Sequence, residues 1–342
     1  MTRTTRLSEV LTHFGLEAQS IRLVQPGRVN RHWRVRAQDR EFVLRRYIAG
    51  HYHRRTPEAV RWEHEALRHA SVKGWPVAAP IPDTRGRTLL SHRDALYALF
   101  PYLPGRPAPL QNVRYRALKG ALLGRLHSDM ASIGRRQRPG FGLVWELDVI
   151  AETCEFETFN AMLRTFGREH PALASRLRAQ RHKSLSELSK LGYGDLPPGF
   201  VHWDFHHDNL LFSRREFTGL LDFDSAHCDA RVADLAASLV LECTEPPAYD
   251  AIDINAARSF TAGYVAEVSL SEAELGLIAP LIRACLIWFT VAVRMTQWAQ
   301  GDERAVRSIA RTVERRLPAL DERWGAIETA ARDAHNAAIG AG

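Results

Sequence analysis

Within VHWDFHHDNLLF (201–212), eight consecutive residues from His202 to Asn209 hold three histidines and two aspartates. Two chemistries use that density. In a metal-dependent hydrolase, His202, Asp204 and His206 would converge on zinc or iron. In a phosphoryl-transfer loop, Asp204 would act as a base and Asn209 would hold magnesium through its amide oxygen. The second chemistry needs another aspartate on a neighbouring strand. TGLLDFDSAHCDARVADLA (218–236) offers one, as a short apolar strand running into Asp222-Phe223-Asp224. The first needs further histidines from other strands, and the candidates are His127 and His227.

The rest of the chain must position these groups. Two β-rich runs, Arg31–Ala37 and Glu41–Tyr47, flank a Gln38-Asp39-Arg40 turn, and PGRVN (26–30) precedes them as a single-glycine turn. Strand alternation puts Val43 and Arg45 on one face, Phe42 and Leu44 on the other. A helix is expected after Thr56 as its cap, with Pro57 at the first position and Glu58 in the first turn. Ala59, Trp62, Ala66 and Ala70 come close to a buried stripe along it. RTLLSH and DALYALF make a second strand pair, and the prolines of PYLPGRP (101–107) suggest a stiff hinge. Beyond it the pattern is helical except around 200–224. The expected class is α+β: a small sheet-plus-helix lobe (1–100), a hinge (101–107) and a larger, mostly helical lobe (108–342).

These residues resemble the aminoglycoside phosphotransferase and choline kinase superfamily, distant relatives of the protein kinases. His202, Asp204, His206, Asn209, Leu210 and Leu211 follow its H-G-D-x-H-x-x-N-L-L pattern. Asp222, Phe223 and Asp224 follow its I-D-[FW]-[DE] strand, and Asp234, Leu235 and Ala236 its D-L-A helix start. LLGRLHS (122–128) is similar to the helix before the loop. The resemblance runs from about residue 20 to about 240 and leaves the last hundred residues without a matching motif. It implies a protein-kinase-like two-lobe fold and a small-molecule kinase that uses ATP or GTP with Mg2+. Asp204 would then be the catalytic base, and Asn209 and Asp222 the metal ligands. Asp224 would assist from behind them, and Asp234 would cap its helix and anchor the loop. His206 would touch substrate or loop backbone, and His202 would brace the loop.

In the small lobe, Arg45 would take the place of the family's phosphate-binding lysine, with Arg46 as the competing register. Glu63 would pair with it, or else Glu65. Gly27 to Asn30 would cover the phosphates, and the strand through Phe100 to Tyr102 would offer backbone to the adenine. Trp203 departs from the family, which usually has glycine there. A pseudokinase would keep this fold and lose a catalytic residue, but Asp204, Asn209 and Asp222 are all present.

Composition narrows the partners. The 342 residues carry a net charge of +7, yet the arginines are scattered and no nucleic-acid-binding signature accompanies them. No nucleic acid and no membrane are therefore expected as partners. ACLIWFTVAV (284–293) is too short to span a bilayer and reads as a buried helix. The N-terminus has no apolar run of the kind a secretory signal needs. Four scattered cysteines suit a reducing cytoplasm. Oligomeric state is not legible.

The acceptor is where alternatives stay open: an aminoglycoside-like cation, or a homoserine-, choline- or sugar-type metabolite. Residues 139–163 carry Glu146, Asp148, Glu152, Glu155 and Glu157 with no lysine or arginine, and 232–257 repeat this with Asp234, Glu242, Glu245, Asp250 and Asp253. Glu152, Glu155, Asp250 and Asp253 are thus candidate contacts for a cationic substrate. The competing reading is solvated helix faces paired with arginines from elsewhere.

Overall fold

The computed structural model of the chain describes residues 3–24, 30–48, 56–108, 113–133, 136–141, 159–245, 248 and 250–340. These form two compact units. One comprises 1–107 with two later pieces, 138–140 and 209–224, and the other comprises 108–137, 141–208 and 225–342.

In the first unit, five antiparallel strands lie in the order β1-β2-β3-β5-β4. They are β1 (Ser20–Leu23), β2 (Arg31–Ala37), β3 (Arg40–Tyr47), β4 (Leu90–His92) and β5 (Ala95–Pro101). Two-residue turns join β2 to β3 and β4 to β5. Gln38-Asp39 and Arg93-Asp94 all have positive φ, the backbone twist that tight hairpins demand. A helix the sequence reading passed over, α1 (Arg3–Thr12), covers one face. Its Leu7, Val10 and Leu11 recur at helical spacing and bury with Phe14 against Trp33, Val35, Phe42, Leu44 and Leu99.

Helix α2 (Pro57–Val72) starts as expected: Thr56 accepts from the Ala59 N–H at 3.2 Å. Its buried face is wider than the anticipated stripe, taking in Glu63, His64 and Leu67 as well. The 101–107 passage does not run free within this unit. Arg106–Pro107 pairs with the Leu210–Ser213 strand, and a Cβ on Gly105 (φ 146°) would meet Thr218 Oγ1 at 2.6 Å. Only glycine fits that close approach.

The second unit is mostly helical. Helix α3 (Val113–Asp129) crosses the Ile254–Val265 helix at bare backbone. A Cβ on Gly120 would lie 1.9 Å from Phe260 O, and one on Gly263 1.9 Å from Ala117 O. The Glu272–Phe289 helix opens with a capping box of Ser271 and Glu274. It continues through a π-helical turn, Thr290–Met295, to Ala299. The apolar run is therefore longer than the ten residues noted in the sequence and could cross a membrane by length and composition. Its apolar window is 82% buried inside the protein, as a core helix is.

Candidate active site

A hairpin in the first unit brings the two expected metal ligands together. The strand Leu210–Ser213 turns at Arg214-Arg215 and pairs with Glu216–Leu220, in a register that sets Leu210 opposite Leu220. Asn209 and Asp222 therefore flank the open end of one hairpin. The Leu221 N–H donates to Asn209 O at 2.9 Å and locks the two backbones side by side. Asp222 has φ of 60°, so the chain turns sharply there before Phe223. An amide oxygen beside a carboxylate is the hard oxygen donor set that suits Mg2+.

Arg45, on β3, forms the expected ion pair with Glu63 of α2, Nη1 to Oε1 at 2.8 Å. Arg45 is thus the register and Glu63 the partner, not Arg46 or Glu65. Glu63 has a second guanidinium that the sequence reading missed. Arg138, fully buried, reaches Glu63 Oε2 at 3.2 Å and also donates to the carbonyls of Ala59, Phe223 and Asp224 at 3.0, 3.2 and 2.9 Å. One side chain so ties the α2 glutamate to the turn that follows Asp222. Burial would lower the Arg45 pKa, but Tyr47, Glu63, Asp222 and Asp224 raise it above its usual value. His64 on the same helix is pushed down to about 3, by burial first and then by Arg45 and Arg138. It stays neutral, bonded to Tyr47 Oη at 3.0 Å.

The structure also places the other first-unit candidates. Asn30 is tied down within the unit: its Nδ2 donates to Asp224 Oδ2 at 3.3 Å and its Oδ1 accepts from the Ile48 N–H. It fixes Asp224 to the end of β3. Gly27 lies outside the described residues. The Tyr102 N–H continues the strand ladder to Glu41 O at 3.2 Å. The Tyr102 ring lies under Arg34, and Phe100 is buried with its centroid 5.0 Å from the Arg45 guanidinium carbon.

In the second unit, the loop that carries Asp204 is hung from both ends of one helix, Arg231–Glu242. Asp234, in its first turn, accepts from the His202 and Trp203 N–H groups at 2.6 and 2.9 Å. Its carboxylate therefore faces the loop and does not cap its own helix. Glu242, in the last turn, accepts from the backbone N–H of His207, and its carboxylate lies 3.1 Å from the His207 ring. Each acid is balanced from α3: His127 Nε2 sits 3.0 Å from Asp234, and Lys119 bonds Glu242. Residues 119 and 127 thus face 242 and 234 as two buried rungs, about 12 Å apart along either helix. Burial alone would raise both carboxyl pKa values. His127 holds Asp234 below the usual range, and His207 with Lys119 does the same for Glu242.

Between the clamps, His206 Nε2 lies 3.3 Å from Asp204 Oδ1. His206 contacts the expected base. Burial would lower its pKa, and Asp204 raises it above the ordinary imidazole value. His202 is buried, edge-on to Phe205, as a brace. Trp203 has φ of 67°, the left-handed region that explains glycine at this place in the family. Its side chain is accommodated by burial edge-on to Trp288, 5.3 Å between centroids, and beside Phe289 at 6.3 Å.

The hydrolase cluster does not assemble as drawn. Among the described residues, the His/Cys/Asp/Glu group whose ligand atoms converge is His206, His207 and Asp208, without His202 or Asp204. His127 is engaged by Asp234 and Tyr264, and His227 Nδ1 lies 2.9 Å from Ser225 O. The second acidic segment is also already compensated. Asp253 caps its helix and lies 3.7 Å from Arg116; Asp250 pairs with Arg311 and Arg315; Glu245 pairs with Arg323. Glu152 and Glu155 lie outside the described residues.

The sheet-plus-helix unit, the helical unit and the two motif-bearing segments define a kinase-like phosphotransferase. Residues 20–267, most of the chain, match the phosphotransferase enzyme family, and the protein belongs to it. It is 25% identical over 257 residues to a homoserine kinase of Zymomonas mobilis, covering 75% of each chain. It is 29% identical to a homoserine kinase of Caulobacter sp. strain K31, covering 75% of this chain and 76% of that one. Its fold is similar to an amicoumacin kinase solved with AMP-PNP, Ca2+ and its ligand (TM-score 0.71, 17% identity, 94% of both chains). It is similar also to a microcompartment-associated aminopropanol kinase (TM-score 0.63, 18% identity, 96% and 98%).

Proposed function

We propose that the protein transfers the γ-phosphoryl group of ATP, or GTP, to a hydroxyl of a small molecule, with Asp204 as the base. The observation that carries this reading is the hairpin that sets Asn209 beside Asp222, starting five residues after Asp204. Asn209 and Asp222 would hold Mg2+, which would neutralise phosphate charge when bound. Arg45, held by Glu63 and by His32, meets the phosphates with its charge and its remaining Nη donors. Asp204 accepts the acceptor's hydroxyl proton as its oxygen bonds to the γ-phosphorus. The bond from that phosphorus to the β–γ bridging oxygen breaks, and the nucleoside diphosphate leaves. Clamping the loop at residues 202–203 and 207 holds the Asp204 backbone before substrate arrives, which removes an ordering cost from the reaction.

The test is coupled detection of ADP release over a panel of alcohols, for the wild type and Asp204→Asn. The variant is expected to lose at least about a hundredfold in kcat with the fold intact. Turnover near the wild-type rate would remove Asp204 from the mechanism.

A further inference from the structure

The family's loop pattern leaves positions 207 and 208 open, and this chain fills them with His207 and Asp208, directly after His206. Donors on three consecutive residues form a group only where the backbone curls, and the short helical turn His207–Asn209 supplies the curl. The ligand atoms of His206, His207 and Asp208 lie within 4.8 Å of one another. The Asp208 carboxylate reaches both rings, 3.5 Å from His207 Nε2 and 4.0 Å from His206 Nδ1. Both imidazoles are part-buried and the carboxylate is exposed, so an ion can reach the group from solvent.

What stands behind the rings distinguishes them from histidines that merely meet water. Each imidazole turns one nitrogen toward Asp208 and has the other beside a further carboxylate. His206 Nε2 lies 3.3 Å from Asp204 Oδ1, and His207 Nδ1 lies 3.1 Å from Glu242 Oε1. A carboxylate on the far ring nitrogen sets the tautomer and strengthens an imidazole as a metal ligand. The Asp208 N–H donates to His206 Nδ1 at 3.4 Å, a long bond that an ion displaces at little cost. An ion there takes the place of the second proton that His206 carries when charged. Two ligands about 2.0 Å from a tetrahedral ion stand about 3.3 Å apart, so shifts of about 1–1.5 Å close the group.

Two imidazoles and one carboxylate suit Zn2+ and not Mg2+, which takes oxygen donors. We propose that His206, His207 and Asp208 bind Zn2+, with water completing the shell, and that the bound ion restrains phosphoryl transfer. The binding stands on the geometry alone, and the restraint rests on the phosphotransferase reading. With the ion on Nδ1, His206 keeps its remaining proton on Nε2 and donates it to Asp204. Asp204 then faces a ring that carries the ion's charge, which lowers its affinity for the acceptor's hydroxyl proton. Arg45, Asn209 and Asp222 are outside the group, so the KM for ATP is not altered.

The experiment titrates Zn2+ calorimetrically into the metal-free full chain without nucleotide, then follows ADP release with Mg2+ in excess. The wild type should bind one Zn2+ per chain, and excess Mg2+ should not compete. His207→Gln and Asp208→Asn should each weaken that binding about tenfold or more, and His182→Gln, at an exposed site in the same unit, should not. Saturating Zn2+ should lower the wild-type kcat about fivefold or more with the KM for ATP unchanged. Asp208→Asn should keep the wild-type kcat without zinc and lose the inhibition. Zinc binding well below one per chain, or binding that both variants retain, would overturn the site. Inhibition that persists in Asp208→Asn would put zinc in place of the nucleotide's metal and overturn the restraint. So would Zn2+ bound at full occupancy with kcat unchanged. Zinc binding as expected, in a chain that transfers no phosphoryl group, would uphold the site and remove the restraint together with the phosphotransferase reading.

Discussion

The two units hold their functional residues by opposite arrangements of buried charge. In the first, one acid is shared by two bases: Glu63 lies between Arg45 and Arg138, and Arg138 extends to the carbonyls of Phe223 and Asp224. In the second, each acid has its own partner on α3 and hands its remaining valence to the loop backbone. On the proposed function, the difference matches what each would hold. A metal and a triphosphate need several charges placed at once, so the first unit couples them in one network. A base needs only a fixed backbone, so the second unit braces the loop at two points and leaves Asp204 between them in contact with His206. Damage should therefore spread in the first unit and stay local in the second.

The largest effect is expected at Arg138. Arg138→Met leaves Glu63 a partner short and three carbonyls without their donor. Removing one member of a buried pair costs about 3–5 kcal/mol, read from the denaturant midpoint. The KM for ATP should rise as well, because Arg45 and the Asp222 turn are held through the same network. A variant with lost stability but unchanged ATP KM would uncouple Arg138 from the nucleotide.

Glu242→Gln should act more narrowly. It frees the His207 end of the loop, and we expect kcat to fall about tenfold with the ATP KM unchanged. It also strands the Lys119 ammonium in the interior. A second change, Lys119→Met, should recover part of the lost stability and none of the lost kcat. If the double variant regains full activity, the rung serves folding alone. Equal rises in ATP KM for the Arg138 and Glu242 variants would erase the contrast between the units.

The smallest effect concerns protonation. The His206 pKa is raised in the folded protein, so its pairing with Asp204 stabilises the protein fully below the unfolded-state value and is lost as pH rises through the folded value. The stability gap between wild type and His206→Gln should accordingly shrink as pH rises from the ordinary imidazole range through the higher folded value. Activity should climb over the same window, since a neutral His206 leaves Asp204 the more effective base. A gap that widened with pH would mean His206 enters the fold uncharged.

Much of this contrast could not be read along the chain. The hairpin that sets Asn209 beside Asp222, and the Asp204 loop before it, were legible because short spacings place them in one continuous segment. Arg45 was legible because strand alternation puts it on the face opposite Phe42 and Leu44, and the Glu63 partner follows on the next helix. Arg138, Lys119 and Glu242 gave no signal: their partners lie 75, 123 and 35 residues away, and a lone arginine or lysine in a helical sequence looks solvated. The Asn30 bond to Asp224 gave no signal either, since the two residues are 194 positions apart. Of the two readings left open for the second acidic segment, the geometry matches the one with arginines from elsewhere, since Arg311, Arg315 and Arg323 return to it from the C-terminal helices. Helix α1 was legible in principle from Leu7, Val10, Leu11 and Phe14.

The division of labour itself is tested most directly by titrating ATP into the protein calorimetrically, with and without Mg2+, for the wild type, Asp222→Ala and Asp204→Asn. Magnesium should tighten ATP binding in the wild type and in Asp204→Asn, while Asp222→Ala binds ATP weakly and without response to the metal. Turnover should be lost in both variants. A magnesium response that survives in Asp222→Ala, or disappears in Asp204→Asn, would contradict the account.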